Sequence, residues 1–188
     1  MSSVRFDRVA LERGPFRLEA DCSFDPGVHV VTGRIGSGKS TLALAIAGGL
    51  GPVSGAICTE GISRPLLVLQ SPDHHLTGAT VAAEVASWGA DPALLDRIGL
   101  ASRSGRDPFR LSRGEQKRLV LGCALATDAD LLVLDEPFAS LDVPARVGLG
   151  RAIAGRGGVT IVMTHADRYL PAGAARWRIS GGRIVPGA

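Results

Sequence analysis

A chain of 188 residues is long enough for one domain with a sizeable core, and 45% hydrophobic with 21% charged residues reads as globular and ordered. The net charge of +3 suits anion binding without demanding nucleic acid, and the odd set Cys22, Cys58 and Cys123 has no metal-ligand spacing, so free thiols in a reducing cytosol are expected. No apolar run approaches the roughly 20 residues that span a bilayer, so work at a membrane requires a partner.

Met1 to Asp7 lead into a polar-interrupted strand pattern with no targeting segment expected. Val4 to Leu11 is a loose strand. Residues 17–24 alternate, with Leu18, Ala20, Cys22 and Phe24 on one face and Arg17, Glu19, Asp21 and Ser23 on the other. Pro15 falls in the turn between them, so an antiparallel hairpin is expected. Val28 to Thr32 is a short apolar strand that runs into a glycine-rich loop, and Thr41 to Ala47 reads as the helix that follows, ended by Gly48, Gly49, Gly51 and Pro52. Ile57 and Leu66 to Leu69 mark two further strands. From Ser71 to Thr127 the pattern turns helical: Thr80 to Trp88, then a helix opened by Asp91-Pro92 and ended by Gly99, a basic loop over Ser102 to Arg110, and a helix from near Ser112 to Ala126. Leu131 to Leu134 and Val159 to Met163 are buried strands flanking a helix over Val143 to Ala154. Trp177 to Ser180, Gly181-Gly182 and Arg183 to Val185 read as a terminal hairpin.

Two of these junctions carry phosphate chemistry. Residues 33–40 read GRIGSGKS, a P-loop placed between a strand and a helix as that motif requires. Backbone N–H groups along Gly33, Arg34, Ile35, Gly36, Ser37, Gly38 and Thr41 converge on phosphate oxygens, and the helix start adds partial positive charge. Lys39 is one of only two lysines in an arginine-rich chain. Its compact ammonium suits the β- and γ-phosphates, and the Ser40 hydroxyl suits Mg²⁺. Residues 131–137 read LLVLDEP, a buried strand that delivers Asp135 to the carboxyl edge of a parallel sheet. Asp135 is expected on the metal side, directly or through water, and Glu136 beside the γ-phosphate, where it polarises an attacking water.

Between these motifs stands Leu111-Ser112-Arg113-Gly114-Glu115-Gln116. Ser112 followed by Glu115 is a capping box, so a helix begins here with its N–H groups facing outward. The run resembles the signature motif of ABC-type ATPases, usually LSGGQ. Arg113 and Glu115 depart from that form; Ser112 and Gly114 keep it. The resemblance implies an α/β fold: a P-loop NTPase (RecA-like) core with an N-terminal antiparallel β subdomain, in residues 1–70 and 129–188, and an inserted helical subdomain in 71–128. It implies ATP and Mg²⁺ as cofactors, and a second ABC ATPase subunit, a homodimer mate or a paralogue. The signature residues of that mate reach the γ-phosphate in trans. By the same resemblance Gln70 contacts Mg²⁺ and the attacking water. Ser140-Leu141-Asp142 forms the loop that crosses the dimer interface, and His165 bonds the γ-phosphate. His29, His74 and His75 lack such placement. The aromatic residue that stacks on adenine in the family is missing; Arg13 occupies its place, and either Arg13 or Phe16 takes the role.

Residues 70–89 are similar to the corresponding stretch of energy-coupling factor and cobalt-type importer ATPases, through Gln70, Pro72, Asp73, Thr80, Val81, Glu84 and Gly89. The implied function is an ATP-hydrolysing subunit that powers an importer of a vitamin or metal ion, cytoplasmic and peripheral on the inner face of the cell membrane. Integral membrane transporter subunits are the expected partners, with no direct membrane insertion. The alternative is a soluble ABC-type ATPase acting on protein or nucleic acid. The absence of a long coiled-coil insertion or a second motor copy favours transport and makes nucleic acid the lesser partner.

Overall fold

A computed structural model describes residues 2–166 and 168–187; the expected domain limits Met1 and Ala188, and Asp167, lie outside the described residues. Alternating side chains and one tight turn build the first part of the sheet. β1 (Ser3–Arg13) and β2 (Phe16–Phe24) pair antiparallel from Val4↔Phe24 to Arg13↔Phe16, and Gly14, at φ 60°, makes the turn. β3 (Gly27–Gly33) ends in the glycine-rich loop that opens α1 (Lys39–Ile46). β4 (Ser54–Glu60) returns along the other edge of β1, and β5 (Pro65–Val68) follows.

The helical stretch begins with a 3₁₀ turn at Pro72–His75, then α2 (Val81–Ser87) and α3 (Leu94–Arg97). α3 starts later than Asp91-Pro92 predicts. The Asp91 side chain accepts from Ala93 N–H, and Leu94 N–H bonds back to the Asp91 carbonyl, so the first turn closes too tightly for α-geometry. The basic segment 102–110 is expected as loop. It contains the end of a 3₁₀ turn at Ala101–Arg103 and another at Pro108–Arg110, the second capped by Asp107. α4 (Arg113–Ala126) leads to β6 (Leu131–Asp135), α5 (Val143–Ala154), β7 (Val159–Thr164), β8 (Ala175–Ser180) and β9 (Arg183–Pro186).

The strand order is β4-β1-β2-β9-β8-β3-β7-β6-β5, one continuous sheet of nine strands among the described residues. The antiparallel N-terminal strands are joined to the parallel ones through β9, which pairs antiparallel with β8 and touches β2 at Glu19↔Arg183. Strands β8, β3, β7, β6 and β5 run parallel. β6 is buried along its whole length, and its alternation divides the core. Leu131 and Val133 join Val31, Ile161, Met163 and Leu42 of α1 on one face. Leu132 and Leu134 join Val30, Val162, Val81, Leu119 and Val120 on the face covered by α2–α5. Burial pushes the Cys22 and Cys123 thiols up to about 12, so both stay protonated at neutral pH.

The parallel register places the chemistry. Thr32 lies opposite Thr164, Asp135 opposite Met163, and Val68 opposite Leu134. The loops that leave β3, β5, β6 and β7 therefore emerge along one carboxyl edge.

Candidate active site

These loops surround a cleft of about 510 Å³ lined by Arg13, Phe16, the 35–41 loop, Gln70, Asp135, Glu136 and His165. Gly36 and Gly38 hold φ of 78° and 98°, values an L side chain resists, and Gly38 is the N-cap of α1. The Lys39 ammonium reaches back over the loop to the Gly33 and Arg34 carbonyls at 2.9 and 3.1 Å. It is 7% exposed and lies 3.8 Å from Glu136 Oε1. A loop that exposes N–H groups on its concave side, with a buried ammonium at its mouth, is suited to a polyphosphate.

Ser40 donates its hydroxyl to Asp135 Oδ2 at 2.7 Å, while Asp135 Oδ1 is buried without a partner. Burial pushes the Asp135 carboxyl up, and the Ser40 hydrogen bond opposes the shift. An orphaned carboxylate oxygen beside a serine hydroxyl fits a hard divalent cation. Among the described residues no cluster of three His, Cys, Asp or Glu side chains forms a cage. Ser40, Asp135 and the exposed Gln70 would hold Mg²⁺ only together with phosphate oxygens, as is usual for this ion.

Glu136 is a non-glycine residue at φ 49°, held there by its own N–H bond to the Met163 carbonyl. Its Oε2 accepts from the Thr164 hydroxyl at 3.1 Å, and its Oε1 lies 2.9 Å from His165 Nδ1. The side chain is thus fixed at both oxygens at the mouth of the cleft. Thr164 carries no signal in the sequence beyond its place at a strand end.

The adenine candidates differ. The Phe16 ring lies against Gly38, where an added Cβ would stand 2.2 Å from the ring, so this aromatic packs onto the loop itself. Arg13 is exposed at the end of β1.

The signature residues are not in this cleft. Ser112 caps α4: its hydroxyl accepts from Glu115 N–H at 3.3 Å, and Glu115 Oε2 accepts from Ser112 N–H at 2.8 Å. The Ser112 N–H bond, first, holds the Glu115 carboxyl below its ordinary value. Leu111 is buried, while Arg113 pairs with Asp73 at 3.0 Å. Gly114 abuts the Ser140 carbonyl, which an added Cβ would meet at 2.9 Å. Ser140 stands at φ 64°, Leu141 is buried and Asp142 caps α5 through Ala145 N–H. Two of the other histidines serve the fold: His29 bonds the Asp25 carbonyl and Trp177 Nε1, and His75 Nε2 accepts from Leu69 N–H.

Besides Thr164, one residue next to the site also escapes the motifs. Lys117, the only lysine besides Lys39, is 2% exposed and donates to the Gln70 carbonyl at 2.7 Å. Burial lowers its pKa to about 8, against the pull of Asp135 and Glu136. Its rarity in the composition is the one signal that could have found it.

The chain resembles known proteins in sequence and in fold. The family described as ABC transporter matches residues 21–139. The thiamine import ATP-binding protein of Cereibacter sphaeroides is 35% identical over 188 residues, covering 87% of this chain and 81% of its own. The energy-coupling factor transporter ATP-binding protein of Thermotoga maritima is 33% identical, covering 87% of this chain and 74% of its own. A crystal structure named as a cobalt transport ATP-binding protein superposes with a TM-score of 0.79 at 26% identity, over 99% of this chain and 79% of that one. The phosphate loop, the Asp135-Glu136 strand end and these likenesses together place the chain in the ABC transporter family, as one of its ATP-using, ATP-hydrolysing subunits.

Proposed function

We propose that this chain works at the inner face of a cell membrane as one of a pair of ATPase subunits driving an importer of a small nutrient, a vitamin or a metal ion. The relatives named for thiamine import, energy coupling and cobalt transport support the direction and the cargo class. No helix among the described residues is long and apolar enough to cross a membrane; in this reading integral partner subunits carry the translocation path. The observation that carries the catalytic reading is the gathering of Lys39, Ser40, Gln70, Asp135, Glu136 and His165 at one cleft, with Ser112 outside it.

In this reading the 33–41 loop holds the triphosphate and Lys39 moves from the Gly33 and Arg34 carbonyls onto the terminal phosphates. Ser40, Asp135 and Gln70 would hold Mg²⁺, which would supply charge neutralisation when bound. Glu136, oriented by Thr164, accepts the proton of the attacking water. His165 leaves Glu136 Oε1 for the γ-phosphate. Arg13 stacks on adenine. Ser112 and Gly114 of a second subunit complete the pocket from the far side, and the 140–142 turn lies along that interface. The 71–128 helical segment forms a subdomain whose surface after Gln70 receives the membrane partner.

The test is recovery of the tagged chain from detergent-solubilised membranes. Co-purification with an integral membrane protein, and MgATP hydrolysis by that complex, is expected. Recovery with ribosomes or DNA and no membrane protein overturns the transport reading.

A further inference from the structure

Two residues that the proposed function assigns to different nucleotides are tied together inside one chain. Gln70 lines this chain's cleft, while Ser112, at the tip of α4, is not among the residues that line it. A small cavity of about 190 Å³ lies beside Gln70 and the first turn of α4, with Gln70, Ser71, Arg113, Lys117 and Ser140 among its lining. Lys117 lines it: rooted on α4, its buried ammonium ends on the backbone carbonyl of Gln70. The exposed Arg113–Asp73 pair makes a second tie between α4 and the same turn. Gly114 seats the helix tip on the Ser140 carbonyl. The Gln70 turn, the start of α4 and the 140–142 turn are therefore packed as one unit, and the Lys117 bond is its buried fastening.

We propose that Lys117 is a positioning residue for ATP hydrolysis. It locks the Gln70 turn to α4, so that seating of the α4 tip on the partner's nucleotide sets Gln70 in this chain's own cleft. A surface ion pair such as Arg113–Asp73 is screened and entropically loose. A buried charge-assisted bond to a backbone carbonyl is directional and resists displacement. The bond falls on the main chain, so it positions the turn whatever the Gln70 side chain does. The inference rests on the role given to Gln70 above.

The test is a double-mutant cycle of Lys117→Met and Gln70→Ala, read as MgATP turnover in the assembly in which the wild-type chain is active. Misplacement of a reacting group by an ångström costs up to about 100-fold, so Lys117→Met is expected to lower kcat about 10- to 100-fold. KM for ATP, and binding of a fluorescent ATP analogue, stay within about twofold, because the groups that hold the triphosphate are untouched. The double variant is expected to be no slower than Gln70→Ala alone. Should Lys117→Met not fold, Lys117→Gln, which removes the charge but keeps a donor, takes its place with the same non-additivity expected. Wild-type turnover in the Lys117 variant, or losses that multiply in the double variant, overturns the inference and leaves the Gln70 role standing. Wild-type turnover in Gln70→Ala alone overturns the Gln70 role and this inference with it.

Discussion

Glu136 concentrates the chemistry at the scale of single residues. Its left-handed backbone, the Thr164 hydroxyl and His165 Nδ1 fix the carboxylate, which in the proposed mechanism takes a proton from a water beside the γ-phosphate. Glu136→Gln preserves size and most hydrogen bonds but removes the base. Steady-state hydrolysis is expected to fall about 10²- to 10⁴-fold while nucleotide binding persists; turnover near wild type removes Glu136 from the role. Lys39→Ala leaves the loop without its buried ammonium. The loss of a charge-assisted bond, about 1.5–3 kcal/mol, is expected to weaken ATP about 10- to 100-fold in a titration. These residues are legible in the sequence because short local spacing fixes their chemistry. Lys117 is not, because its partner Gln70 lies 47 positions away and only packing brings them together.

At the scale of elements, the start of α4 is a fold feature and, in the proposed assembly, a functional surface. Ser112→Ala removes half of the capping box and is expected to cost about 1 kcal/mol of stability, read as a lowered melting midpoint. In the proposed assembly it also slows hydrolysis without weakening nucleotide binding to the isolated chain. The capping box is readable from Ser112 and Glu115 alone. The late start of α3 is not, because Asp91 caps a tighter turn from the same letters. His75 ties the Pro72–His75 turn to the end of β5 through Leu69 N–H, which requires an unprotonated Nε2. Burial, then His74 and Lys117, lower its pKa from the ordinary 6.5, with Glu84 opposing. The unfolded chain therefore takes up the proton first. The contribution is present in full above about pH 6.5 and is lost as pH falls through the lowered folded value. Thermal midpoints measured from pH 7.5 down to 5 are expected to fall. The decline should be shallower in His75→Gln, whose amide oxygen accepts the same N–H; an equal slope in both removes His75 from the linkage.

At the scale of the whole molecule, the sheet divides two cores and gathers the catalytic loops at one edge. The strand and helix order follows from alternation, apolar runs and glycine punctuation, which are local. The joining of the N-terminal hairpin to the parallel strands through β9 is not local. It rests on a contact between Glu19 and Arg183, with the two strands meeting at a single paired position, which no pattern in either strand announces. The same holds for the site: Ser112 is not among the residues that line the cleft of its own chain, and in the proposed assembly the pocket is completed between two subunits. The most direct measurement is the structure of the Glu136→Gln chain in its membrane assembly, trapped with MgATP. The γ-phosphate is predicted within hydrogen-bond reach of Lys39 of one subunit and of the capping serine of its mate. A γ-phosphate open to solvent on the side opposite Lys39, or met there by no second ATPase subunit, contradicts the account.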